Sequence, residues 1–242
     1  MTLDDLIASM FPAGHAVKRG LRSTVHGAGR LEDGTEVALI GIVDRTPLTI
    51  DAAIEVAGYV LSVIEKGGTT PILVLVDTAS QNMARRDELL GLNEYLAHLS
   101  KCLTLAALEG HRTIGILYGH AAAGALIATA LSTQVLVALP DAEPSVMDLP
   151  SISRVTKLPL DKLTELAKST PVFAPGLEPL FAVGAVTVRW DATKPLAAQL
   201  LTVLQAPLAQ HDPRDAIGLE RKGRLLAAPI AARVAMEANA HG

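Results

Sequence analysis

From Thr113 to Pro140 the chain carries no Asp, Glu, Lys or Arg, and its one imidazole is His120. An uncharged run of this length has two homes. It crosses a bilayer as a helix of about 20 apolar residues, or it lies inside a folded core. The local pattern decides between them. "TIGILYG" (113–119) and "TQVLVALP" (133–140) are β-branched or Leu-rich, as strands are, and Gly119-His120 breaks the run between them. The centre, "AAAGALIATALS" (121–132), is mostly Ala, which gains little in lipid. No aromatic belt or positive-inside pattern flanks it. The run predicts a buried strand, a tight turn, a small-residue helix and another buried strand, and no membrane span.

The flanking sequence extends this alternation. "TPILVLVDT" (70–78) is a short apolar run of the kind buried in parallel sheets. "DAAIEVAGYVLSVIEKGG" (51–68) places Ile54, Ala57, Val60, Leu61 and Ile64 at helical spacing, with Gly67-Gly68 as the stop. "RRDELLGLNEYLAHLSKCLTLAALEG" (85–110) predicts one long amphipathic helix. Upstream, a short helix fits Asp4 to Met10, and residues 25–45 form two antiparallel strands around an Asp33-Gly34 turn. After Pro140 come helices at 159–169, 176–184 and 195–206, a strand at 185–190 and a terminal helix at 212–238. Helix and strand in alternation give an α/β fold with a parallel sheet. Nothing demands a second domain, so the expectation is a single domain over 1–242 with a helical tail from about 195.

Hydrophobic residues make up 50% of the chain and aromatics 3%, so the core is built from Ala, Val, Leu and Ile. The net charge of -4, without a Lys/Arg cluster, argues against a nucleic-acid partner. Cys102 is alone, which excludes an intrachain disulfide framework and suits a reducing compartment. "MTLDDLIASMF" is acidic where a secretory signal is basic, and the expected location is cytoplasmic.

The chemistry concentrates at "YGHAAAGA" (118–125). Small residues that open a helix after a buried strand let a ligand approach the backbone. The first helical N–H groups lack partners there and can stabilise a developing oxyanion. Alanine disfavours φ > 0, so helical dihedrals are expected at Ala123 and Ala125. His120 sits in the turn, either touching substrate or packing through a hydrogen bond. Arg85 and Arg86 follow the loop after the 70–78 strand and could grip an anion; solvated helix-start charges are the plainer reading. Arg154 and Lys157 are similar candidates. His98 and Cys102 share a helix face, but no third ligand stands at useful spacing, and no metal is expected. "GAGRLEDG" lacks the third Gly and the strand-helix context of a dinucleotide fingerprint. No nucleophile elbow or P-loop occurs.

The "YGHAAAGA" turn resembles the G-x-A-x-G-G-G turn of the crotonase superfamily and of acyl-CoA carboxyltransferases. A longer resemblance covers roughly residues 30–235. The run from "VDTASQNMARRDELLGLNEYLAHLSKC" through "TIGILYGHAAAGALIATAL", the blocks "VMDLPSISRVTKLP" and "PVFAPG", and the tail "DPRDAIGLERKGR" resemble the gamma subunit of malonate decarboxylase. This implies a crotonase-like ββα superhelix, similar to the C-terminal half of biotin-dependent carboxyltransferases. It also implies an obligate heterodimer with a beta subunit. The pair would decarboxylate a malonyl thioester on an acyl-carrier protein, with an alpha subunit exchanging malonate for acetate. No cofactor is implied on this chain. The phosphoribosyl-dephospho-CoA arm belongs to the carrier, and biotin is not expected.

By position Gly124, beside Ala125, matches the superfamily's oxyanion donor. Ala79 and Ser80 match the loop that supplies the second donor, although the D-x-x-G glycine of carboxyltransferases is absent. Ile127 replaces the catalytic Glu of hydratases, so hydratase chemistry is not expected. Gly124 is left with three roles: oxyanion donor, seat for the departing carboxylate, or structural turn. Two alternatives accompany the decarboxylase reading. One is a catalytically silent scaffold that completes the beta subunit's pocket. The other is a carboxyltransferase half that hands CO2 to biotin.

Overall fold

A computed structural model describes residues 1–171, 174–209 and 211–240. Val172 and Phe173 of the "PVFAPG" block lie outside the described residues. The chain divides into two compact units, one formed by 1–146 with 188–207, the other by 147–187 with 208–242.

The first unit is built on a seven-stranded sheet. Its strands are β1 (Lys18–Arg19), β2 (Thr24–Arg30), β3 (Glu36–Ile42), β4 (Ile72–Val76), β5 (Thr113–Leu117), β7 (Val135–Ala138) and β9 (Val188–Arg189), in the spatial order β1-β2-β3-β4-β5-β7-β9. β1, β2 and β3 pair antiparallel, and the hairpin expected around Asp33-Gly34 joins β2 to β3. From β3 onward every pairing is parallel. A further two-stranded parallel sheet joins β6 (His120–Ala122) to β8 (Glu143–Ser145), in register His120 to Glu143.

The strand order dictates where the helices go. From β3 through β4 and β5 to β7 the chain always steps the same way, and right-handed crossovers then place every connecting helix on one face. Those helices are α2 (Ile50–Glu65), the pair α3 (Arg85–Leu89) and α4 (Leu92–Leu108), and α5 (Ala123–Ala128). α2 buries Ala52, Ala53, Val56, Ala57 and Val60, and α4 buries Leu99, Leu103 and Ala106. Small residues on α2 let helix and sheet approach closely, as the Ala-rich composition requires. The other face has no crossover to cover it. It is closed by α1 (Leu3–Met10) and α9 (Leu196–Gln205), whose Leu6, Met10, Leu196 and Leu200 form one cluster with Leu39, Leu73, Leu75, Ile114, Ile116 and Val137. The Leu196 N–H donates to Ser9 Oγ at 3.2 Å, tying the two covering helices together.

Three expectations need correction. The single helix expected over 85–110 is two, because Gly91 takes φ +79 and turns the chain between α3 and α4. The small-residue helix expected over 121–132 starts later, after the three-residue β6, and gives way to a 3-10 turn at Ala130–Ser132. The terminal helix expected over 212–238 is likewise divided into α10 (Arg214–Glu220) and α11 (Ala227–Ala240).

The second unit is helical, with α6 (Leu149–Thr156), α7 (Leu160–Ser169), α8 (Leu177–Ala182), α10 and α11. Asp148 caps α6 by accepting the Ser151 N–H at 2.8 Å. Arg221 organises the opposite part of this unit. Its guanidinium lies 3.6 Å from the Phe181 ring centroid and donates to the carbonyls of Phe181, Val186 and Thr187 at 2.9, 2.8 and 2.9 Å. Among the described residues no helix is long and apolar enough to cross a membrane.

Candidate functional site

In a parallel sheet the loops that leave the carboxyl ends of the strands gather on one edge, where ligands of open α/β folds bind. In this chain that edge collects the turn after β3 (43–48), the loop after β4 (77–82), the turn after β5 (118–123) and the loop after β7 (139–142). Each is held by its neighbours through backbone geometry.

Asp77 is the first organiser. Its Oδ1 accepts the His120 N–H at 2.9 Å, and its Oδ2 accepts the Arg45 N–H at 3.2 Å. Gly119 makes this possible, because a Cβ there would stand 2.4 Å from Asp77 Oδ1. The Thr78 N–H donates to His120 O at 2.7 Å, and His120 Nδ1 lies 2.9 Å from Thr78 O. A carbonyl oxygen only accepts, so Nδ1 carries a proton and donates to it. His120 therefore laces the 118–123 turn to the 77–82 loop. Burial, and then the Asp77 charge, push the Tyr118 phenol above its usual range.

The outer side of the loop is fixed as well. Ser80 O accepts the Leu48 N–H at 2.8 Å, the Asn82 N–H donates to Leu48 O at 2.9 Å, and Thr78 Oγ1 donates to Thr46 O at 2.6 Å. Between these ties the N–H groups of Ala79 and Ser80, both half-buried, have no protein acceptor among the described residues. They are rigidly presented donors of the kind that stabilises an oxyanion.

Gly124 stands at the start of α5. Its N–H is not open, because it donates to Gln81 Oε1 at 2.8 Å. Ala123 departs from expectation. It takes φ +49, a left-handed conformation, where helical dihedrals were expected. The cause is topological. β6 is fixed by pairing with β8, and the helix must start at the next residue, so the corner falls on Ala123 despite its Cβ. Such a conformation costs about 1–2 kcal/mol. Ala125 is buried inside α5.

The basic candidates separate. Arg86 pairs with Asp51 at 3.0 Å and with the buried Asp87 at 3.0 Å, and Arg22 also reaches Asp51 at 2.9 Å. The Arg86 hydrogen bond holds the Asp51 carboxyl below its ordinary range. Asp87 further accepts from Asn82 Nδ2 at 2.9 Å and from the Ile50 N–H at 3.4 Å, which ties the end of the loop to the start of α2. The Arg86 charge is thus engaged within the chain, whereas Arg85 is exposed and makes no ion pair among the described residues. Arg154 and Lys157 lie in the second unit at the end of α6, both exposed, where Lys157 terminates the helix at φ +63. His98 Nε2 is 3.6 Å from Cys102 Sγ, burial pushes that thiol up, and no metal-holding cluster occurs among the described residues.

The family model for the malonate decarboxylase gamma subunit matches residues 43–238, which include all four loops of this edge. The chain belongs to the malonate decarboxylase gamma-subunit family. Malonyl-S-ACP:biotin-protein carboxyltransferase MADD of Malonomonas rubra is 33% identical over 127 residues, covering 50% of this chain and 44% of that protein, so the match spans less than half of the relative's length. Among solved structures, a Pseudomonas malonate decarboxylase hetero-tetramer in complex with coenzyme A contains a chain matched at TM-score 0.78 and 21% identity, over 96% of this chain and 97% of that one. Transcarboxylase 12S, with methylmalonyl-coenzyme A and methylmalonic acid bound, matches at TM-score 0.69 and 19% identity, over 87% of this chain and 44% of that one. These likenesses establish the crotonase-like carboxyltransferase fold for this family member.

Gln81 was missed by sequence reasoning, whereas Asp77 and Gly119 lie inside the segments it flagged, without the organising contacts they make here. The flagged loop stopped at Ser80, one residue short. The signal available was a polar side chain able to accept, next to Ser80 in the same loop.

Proposed function

We propose that this chain acts as the gamma half of a biotin-independent malonate decarboxylase. Together with a beta subunit it would remove CO2 from a malonyl thioester carried on an acyl-carrier protein. The observation that carries this reading is the family match over 43–238, which spans every loop at the carboxyl edge of the sheet. The chemistry fits such an edge. Breaking the bond between the carboxylate carbon and the methylene releases CO2 and leaves its electron pair as an enolate, with the charge on the thioester oxygen. Fixed N–H donors lower the energy of that oxyanion without donating a proton, and protonation of the methylene carbon then gives the acetyl thioester. Ala79 and Ser80 offer such N–H groups. The thioester arm, a phosphoribosyl-dephospho-CoA group, arrives with the carrier as part of the substrate, and an alpha subunit would reload the carrier with malonate. Exposed apolar side chains on α3 and on either side of it (Met83, Leu89, Leu90) suit a partner surface beside the site.

The test is to purify the chain with its beta subunit and supply malonyl-carrier protein, following CO2 and the acetyl thioester. Release of both, unaffected by avidin, is the expected result. No turnover by the intact pair would reject the reading. A second reading is favoured by the relative MADD, whose name specifies transfer to a biotin protein. In that case CO2 would appear as carboxybiotin, and avidin would stop the reaction.

A further inference from the structure

The Gly124 N–H and the Ala79 and Ser80 N–H groups belong to the same pair of laced segments, yet of these three only the Gly124 N–H has an acceptor among the described residues. That acceptor is a side chain from the donor loop itself. An N–H can only donate, so the Gln81 atom facing it is the carboxamide oxygen, and the amide nitrogen is turned to Met83 Sδ at 3.7 Å. The space beside Gly124 is already filled, since a Cβ there would stand 3.1 Å from Leu96 Cδ1 and 3.2 Å from Gln81 Oε1. The Gln81 backbone has no freedom to swing aside, because Ser80 O and the Asn82 N–H on either side of it are both bonded to Leu48.

We propose that Gln81 is a positioning residue. Its carboxamide oxygen takes the Gly124 N–H out of play and locks the 77–82 loop to the turn, leaving Ala79 and Ser80 as this chain's donors to the substrate thioester. The proposal rests on the decarboxylase reading and deepens it. It assigns the turn before α5 to structure and the loop after β4 to chemistry. Four hydrogen bonds then join loop and turn: Asp77 to the His120 N–H, the Thr78 N–H to His120 O, Thr78 O to His120 Nδ1, and Gln81 to the Gly124 N–H. The first three sit before Ala79 and the fourth after Ser80, so the donor pair is clamped from both sides. Removing the Gln81 clamp frees one end of the donor segment and degrades the alignment on which oxyanion stabilisation depends.

The experiment uses the complex with the beta subunit and malonyl-carrier protein, comparing Gln81→Leu, which lacks the acceptor, with Gln81→Glu, which keeps it. The Leu variant is expected to lower kcat roughly tenfold with KM within about twofold, the size of one lost positioning hydrogen bond. The Glu variant is expected to recover most of kcat, with any charge effect falling on KM. Amide hydrogen exchange at Gly124 in the full chain is expected to be slow in the wild type and in Gln81→Glu, and faster in Gln81→Leu. If Gln81→Leu lowers KM while kcat holds or rises, Gln81 is a placeholder that substrate displaces, and the proposal is overturned. Unchanged kinetics and unchanged exchange overturn it too. A wild-type complex without decarboxylase activity rejects the functional reading instead. The exchange measurement, which needs no substrate, then still decides whether Gln81 holds Gly124.

Discussion

In the first unit, β4 is buried along its whole length, from Ile72 to Val76. In the second, α11 buries no residue over Ala227–Ala240. The first unit gains stability by removing Val, Leu and Ile from water on both faces of a sheet. In the second, Leu163 and Val186 are the buried large hydrophobics among the described residues. Its ties include the Asp148 cap of α6 and one guanidinium that collects three carbonyls. Val155, Leu160, Ile230, Val234 and Met236 stay exposed there. The first unit has the makings of an independent core. The second carries apolar surface that a partner would cover, in keeping with its family's role as one subunit of an assembly.

The contrast can be attacked by mutation, from the largest effect downward. Leu75→Ala empties a site at 0% exposure between β3 and β5, and should destabilise the chain by about 2–5 kcal/mol in a denaturant titration. Asp87→Ala leaves the Asn82 amide and the Ile50 N–H without their acceptor and should cost about 3 kcal/mol. The same melt would show whether the loop after β4 depends on the start of α2. Arg221→Lys keeps the charge but loses the fork that reaches three carbonyls. It should cost about 1–2 kcal/mol, read as faster amide exchange in α8 and α10 with β4 unaffected. Ala123→Gly relieves the left-handed corner and should raise stability by about 0.5–1 kcal/mol, the strain relieved less the entropy glycine adds to the unfolded chain. Ile230→Ser in α11 should change the isolated chain by less than about 0.5 kcal/mol. A loss near that for Leu75→Ala would show that α11 is packed and would break the comparison.

Much of the fold was legible because it rests on local patterns. The Asp33-Gly34 hairpin, the stop of α2 before Gly67-Gly68, and the continuous apolar runs of β4 and β5 each carry their own signal. What escaped depended on partners distant in sequence. Gly91 was read as one residue of a periodic helix, yet periodicity does not reveal that a glycine has taken φ +79 and redirected the axis. β6 is too short to announce itself and exists because β8 lies beside it. The site followed the same division. The turn and the loop were found by type, as small residues after buried strands. The state of their N–H groups was not, since Gln81 meets Gly124 across 43 residues of sequence.

The sequence by itself determined a parallel α/β core of small aliphatic residues, the absence of a membrane-length helix, and the two segments that meet at the carboxyl edge of the sheet. These follow from hydrophobic period and composition, which are properties of neighbours along the chain. The tertiary structure decided which donors are free. It turned Ala123 left-handed, spent the Arg86 charge on Asp51 and Asp87, and laid the Gln81 carboxamide on the Gly124 N–H. Those outcomes are set by which groups meet once the strands have paired, because a hydrogen-bond donor is open or occupied only in relation to what folding brings beside it.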